Sequence, residues 1–252
     1  MAAEYRVGRG IADITGEPAE CGMLGYGVRS QVTTGLHTRL RARAFVIAET
    51  TTDALLLFVI CELPLMLESV HREVLRRLAT THGALYTVEN VMLTATHTHC
   101  GPGGYADHLL YNSNTHGFRP QTFGAIVDGI LEAVAHAHAD LAPAALSLAT
   151  GQLHDASINR SPSAFQRNPE AERAHFPDAI DPQTTLLRIE RDGRLVGTVN
   201  WFATHGTSMT NRNTLISSDN KGYAGYHWER LDEGVDYLAD SPPDFVAAFA
   251  QT

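Results

Sequence analysis

The sequence predicts an α/β protein whose mixed β-sheet is flanked by helices. Three observations carry that prediction. Apolar runs of strand length recur along the chain, two longer segments repeat apolar residues at three-to-four spacing, and two β-rich runs are joined by Asp192-Gly193. The first pattern makes strands, the second makes helices, and an Asp-Gly link makes its strands antiparallel. With 252 residues, 44% apolar and 19% charged, the composition is globular and suits one large domain or two small ones.

Residues 6–15 mix apolar side chains with Gly8 and Gly10 and predict an opening strand and bend. In 39–49, Leu40, Ala42 and Ala44 alternate with Arg39, Arg41 and Arg43 before the run turns apolar. Residues 55–61 are continuously apolar, as a strand covered on both faces must be. The polar turn 50–53 makes these two runs neighbours. Residues 68–81 put Val70, Val74, Leu75 and Leu78 on one side of a helix, with Gly83 as its stop. The β-like stretch 90–96 runs into a group of histidines.

Residues 121–141 carry the strongest helical period, through Phe123, Ile126, Val127, Ile130, Leu131 and Val134, and Pro143 limits that helix. A strand is expected at 145–153, and a hairpin at 184–190 and 195–204. Residues 217–231 are expected to be helical at least in part, capped by Asp219 or Asn220. Between these elements lies the long irregular stretch 153–181, with Pro162, Pro169 and Pro177. Loops of that length inside compact domains tend to be functional.

Several function classes drop out. Lys and Arg number 19 against 28 Asp and Glu, giving a formal charge of −9 with no basic block, which argues against a nucleic-acid surface. No apolar run reaches the ~18 residues of a membrane span. The opening residues have no apolar core of a secretory signal. Three cysteines without a CxxC spacing do not make a disulfide framework. Neither a Gly-x-Ser-x-Gly elbow nor a P-loop is present.

Histidine is abundant, at 13 residues, which directs attention to metal or acid–base chemistry. In 94–104 a strand runs through His97-Thr98-His99-Cys100 into a glycine-rich exit. Residues two apart on a strand face the same way, so His97 and His99 can reach one site. They suit a metal ligand with a second ligand or a substrate contact, or two satisfied histidines at a strand end. Residues 199–209 repeat the pattern of apolar strand, Thr, His and Gly around His205. Two such strands can bring both imidazoles to one edge of the sheet and a shared zinc ion. Coincidence among many histidines is the plain alternative, and no carboxylate partner emerges from pattern alone.

The remaining candidates have weaker claims. Cys100 suits a soft ligand or a small buried residue. Arg160, in Asn159-Arg160-Ser161-Pro162, offers a planar donor fork or pins its loop. Asp219-Asn220-Lys221-Gly222 reads as a helix cap with a local ion pair. His136 and His138 lie near a helix end, and His71, His82 and His154 read as surface or cap residues.

Long motifs in a fixed order extend this picture. They are residues 7–16, 23–26 and 35–45, the histidine group with 102–105, then 159–162, 201–209 and 218–224. In these the chain resembles the neutral ceramidases, zinc-dependent amidohydrolases that split the N-acyl bond of ceramide into sphingosine and fatty acid. The resemblance implies that His97 and His205 ligate zinc. It also implies that His99 and Arg160 contact the ceramide head group, as catalytic and substrate-binding side chains, and that Gly25 gives a backbone contact there. Cys100 replaces the serine usual in the family.

Family members are more than twice as long. Their remaining zinc ligands, a Glu and a Tyr, and the nucleophilic serine of a Gly-Asp-x-Ser-Pro-Asn motif are expected beyond Thr252. Ser161 and Ser241 precede prolines but lack the Gly-Asp lead-in. Residues 1–252 are thus expected to form the N-terminal portion of a ceramidase-like catalytic domain, inactive alone, with ceramide or a related N-acyl sphingoid lipid as partner. A secreted or cell-surface location is implied only by resemblance. A non-catalytic lipid-binding remnant and another His-x-His metallohydrolase are the competing expectations.

Overall fold

The computed structural model describes residues 4–52, 54–239 and 242–252. Asp53, in the expected turn 50–53, and Ser241 lie outside the described residues. In chain order come β1 (Tyr5–Asp13), β2 (Ala19–Leu24), β3 (Val32–Leu36), β4 (Arg41–Glu49) and β5 (Leu55–Cys61). Next are α1 (Glu68–His82), β6 (Val91–Ala95), β7 (Gly101–Pro102), α2 (Leu109–Asn112), α3 (Pro120–Ala139) and β8 (Ala142–Gln152). The long loop holds two single turns, α4 (Pro162–Phe165) and α5 (Glu170–Arg173). β9 (Gln183–Arg191), β10 (Arg194–Phe202), β11 (Leu215–Ile216), α6 (Asp219–Tyr226) and β12 (Val246–Ala250) complete the order.

An eight-stranded sheet runs β12-β10-β9-β8-β1-β4-β5-β6, and a four-stranded one runs β11-β3-β2-β7. β5 pairs parallel with β6 and β10 with β12, while the other ladders of the large sheet are antiparallel. The sheet is therefore mixed, as expected. Alternation along β4 and β5 explains their apolar runs. Ala42, Ala44, Val46, Leu57 and Val59 join the core with Val70, Val74 and Leu78 of α1 and Ile126, Ile130 and Val134 of α3. Phe45, Phe58 and Ile60 face the opposite core, with Val199, Val246 and Ala248. Both faces of these strands are largely covered, so the polar Arg43 of β4 is buried and has to be paired within the chain.

The expected opening strand is present and ends at Asp13. β1 runs nine residues without a break, and its glycines serve packing rather than turning. A Cβ at Gly8 would lie 1.8 Å from Ala137 O, and one at Gly10 would lie 2.1 Å from Ala133 O. The α3 backbone rests directly on β1 because both surfaces are small there. Helix 3 begins with Pro120 in its first turn, where a missing N–H costs nothing.

Candidate metal centre

β6 ends at Ala95, two residues before His97. Thr96 N–H then donates to Cys61 O and His97 N–H to Leu63 O, which carries the chain past the strand. His97 takes a left-handed φ of 66°, uncommon for a residue with a Cβ and a known mark of functional sites. His97 and His99 therefore converge through a left-handed turn, which corrects the expected strand alternation. On the other arm, β10 ends at Phe202 and delivers His205. The two exits meet in an isolated parallel bridge between Thr98 and Gly206, and His99 N–H donates to Gly206 O at 3.1 Å. A Cβ at Gly206 would lie 2.3 Å from His97 O, so only glycine lets the two segments approach this closely.

Three imidazole nitrogens converge as a result. Nε2 of His97 lies 3.1 Å from Nε2 of His205 and 3.2 Å from that of His99, and the third side measures 2.9 Å. Ligands at the usual Zn–N distance of about 2.0–2.1 Å sit about 2.9–3.4 Å apart, from right-angle to tetrahedral geometry. The triangle fits that range. His97 Nδ1 donates to Pro64 O at 2.7 Å, which puts its proton there and leaves the Nε2 lone pair facing the cluster. His99 Nδ1 is buried and has no hydrogen-bond partner among the described residues. Among the described residues, these three are the only group of three or more His, Cys, Asp or Glu side chains able to hold a metal ion.

The electrostatics favour the neutral forms of His99 and His205. Burial, with help from the neighbouring His97 and His205, pushes His99 down to about 4, and Asp219 opposes that shift. Burial lowers His205 too, again assisted by His97 and Arg160. Neutral imidazoles are the form that binds a cation.

Gly25 packs against His99, and Arg160 lies near enough for its charge to act on the centre. Gly25 has φ 132°, and a Cβ on it would lie 2.8 Å from both Cα and Cγ of His99. Arg160 is exposed and has no hydrogen-bond or ion-pair partner among the described residues, yet its charge acts on His99 and His205. Its loop is pinned by Asn159 instead, which donates to Ala179 O at 3.0 Å and accepts from Ser161 N–H at 2.7 Å. The guanidinium is free to meet a ligand. A cavity of about 340 Å³ opens beside His97 and His205, with Ile158, Asn159, Ile180 and Gln251 on its wall.

Two neighbours have roles that sequence pattern did not assign to them. Tyr26 packs edge-on to His99 with ring centroids 4.7 Å apart, and its hydroxyl donates to Met209 O at 2.5 Å. Asp219 is not the expected cap, since Ser218 holds the N-cap position of α6. Its carboxylate instead accepts the N–H groups of Ser208 and Met209 and so orders the segment after His205. Lys221 makes no local ion pair among the described residues. It is buried, donates to Phe202 O at 2.6 Å and Ala250 O at 2.7 Å, and burial brings it down to about 8. Cys100 stands outside the cluster, and burial raises its thiol.

Comparison with known proteins identifies the family of the chain. Residues 5–252 match the family model for neutral/alkaline non-lysosomal ceramidase, N-terminal. The neutral ceramidase of Mycobacterium tuberculosis is 63% identical over 248 residues, covering 98% of this chain and 39% of that protein. The neutral ceramidase of Pseudomonas aeruginosa is 46% identical over 249 residues, covering 98% and 36%. A crystal structure of the Pseudomonas aeruginosa enzyme superimposes with a TM-score of 0.91 at 47% identity, over 99% of this chain and 38% of that one. The chain thus spans less than two-fifths of the length of these relatives. It belongs to the neutral/alkaline non-lysosomal ceramidase family and corresponds to that family's N-terminal part.

Proposed function

We propose that this chain supplies the metal-binding and head-group side of a site that hydrolyses the N-acyl amide of ceramide. The observation that carries this reading is the Nε2 triangle, with sides of 2.9–3.2 Å, in which the His97 tautomer is fixed by Pro64 O. His97 and His205 hold zinc. A ligating imidazole is held by an acceptor at its other nitrogen, as His97 is. His99 packs against Gly25 and Tyr26, which suits a substrate contact.

When bound, zinc supplies Lewis acidity at the amide carbonyl and makes a nearby hydroxyl or water more acidic. The chain's own residues do the positioning. Arg160 offers a donor fork to the amide or primary hydroxyl, and neutral His99 orients the same head group. Close approach at Gly25 brings a bare backbone to that contact. Ile158 and Ile180 give the adjoining cavity apolar wall against which hydrocarbon can lie.

Two protein ligands leave zinc coordination incomplete, so the 252 residues alone bind zinc weakly and turn over little ceramide. The experiment is to express residues 1–252 and measure zinc by elemental analysis and turnover on a fluorescent ceramide. Sub-stoichiometric zinc after dialysis, with little hydrolysis, is expected. Stoichiometric zinc and robust turnover would overturn the claim that ligands and nucleophile lie elsewhere. Ceramide binding that ignores both metal and His97→Ala would favour a lipid-binding role instead.

A further inference from the structure

Gln251 follows β12 directly, and its side-chain amide joins two strand exits. Nε2 donates one hydrogen to Thr96 O at 2.9 Å and the other to Thr204 O at 2.6 Å. Thr96 immediately precedes His97, and Thr204 immediately precedes His205. A carboxamide NH2 has only two hydrogens, so its donor capacity is fully used. No other hydrogen bond reaches either carbonyl among the described residues. β6 and β12 are the opposite edges of the large sheet, so this one amide ties edge to edge where the histidines emerge. Gln251 also lines the cavity beside His97 and His205.

We propose that Gln251 is a positioning residue that sets the separation of His97 and His205, and through it the affinity and geometry of the metal they hold. The inference rests on the zinc reading above and adds a residue to it. Partners one step removed from a metal ligand typically change affinity by about 10–100-fold when lost. A mere strand tie would leave metal binding alone and lower only the stability of the metal-free chain.

The test uses the 252-residue chain with Gln251→Leu, which keeps length and removes both donors. Gln251→Asn, one methylene shorter, is the gentler second variant should the first fold poorly. Cobalt(II) is titrated by its visible absorption, and zinc affinity is read by competition. The expected result is affinity weakened about 10-fold or more, with a shifted cobalt band. Unchanged affinity and band in a folded variant would overturn the proposal.

Hydrogen exchange of the metal-free chain gives an independent arm. Faster exchange at residues 96–99 and 204–206, with β4 and β5 unaffected, is expected on losing the clamp. Exchange identical to wild type would overturn it. Failure of the wild-type chain to bind metal, or binding that survives His205→Ala, would sink the zinc reading, and the exchange arm would still decide the clamp.

Discussion

The guanidinium of Arg43 and the imidazole of His99 are buried, with His97 and His205 half-buried beside the latter, yet only the first is answered by charge within the chain. Arg43 forms a bidentate pair with Glu229, at 2.7 and 2.8 Å, and a third bond to Glu62 at 2.5 Å. The carboxylates are satisfied in turn by Arg41 N–H, Ala247 N–H and the Tyr237 hydroxyl. Every partner comes from this chain, and Glu229 and Glu62 are 0% and 1% exposed. The histidines have no carboxylate among them, three nitrogens crowd one point, and His99 Nδ1 has no partner among the described residues. A closed network of that kind builds the fold, whereas an open one is shaped for something the chain does not itself contain.

The largest test of this contrast is Arg43→Met. Removing one member of a buried ion network leaves the other charges uncompensated, at a cost of about 3–5 kcal/mol. Urea unfolding should show that loss, and adding Glu62→Gln and Glu229→Gln should recover much of it. A change below about 1 kcal/mol would mean the network is not closed as described.

Zinc provides the next test, from the open side. A ligand that binds only the folded state at 100 times its Kd adds about 2.7 kcal/mol. Thermal midpoints should therefore rise with zinc in the wild-type chain and stay flat in His205→Ala. Equal rises in both would show that the ion binds outside the histidine triangle.

The same contrast decides what could be read from sequence. Periodicity placed α1 and α3, and the continuous run at 55–61 correctly announced a strand covered on both faces. The repeated Thr-His before glycine brought His97 and His205 together on paper, because similar local patterns produced similar strand exits. The small sheet stayed hidden. Its strands are short, and its ladder joins Leu215 to Gly35, a pairing no local window contains. The role of Tyr26 was missed for the same reason, since its hydroxyl partner Met209 lies 183 residues away. Gly206 and the glycines of β1 carry a further lesson: in the fold each marks a place where two backbones touch.

A second network, paired in charge but with Arg191 Nε left without a partner among the described residues, gives the smallest and most specific effect. Asp140 accepts from Arg9 N–H and Nε, both at 2.9 Å, and from Arg191 at 2.9 Å. Burial alone would raise its pKa, but the hydrogen bonds from Arg191 and Arg9 outweigh it and hold the carboxyl below the usual 3.8. A carboxyl depressed on folding contributes stability above its unfolded pKa, and that contribution is lost as pH falls through the folded value. Asp140→Asn should therefore cost roughly 1.5 kcal/mol near neutral pH, the scale of charge-assisted hydrogen bonds. The gap between variant and wild type should then close as pH falls below 3.8. Urea midpoints measured across that range would reveal it. A gap that stays constant with pH would mean the carboxylate's charge is not what the two arginines recognise, and Asp140 would no longer belong on the charge-paired side of the comparison.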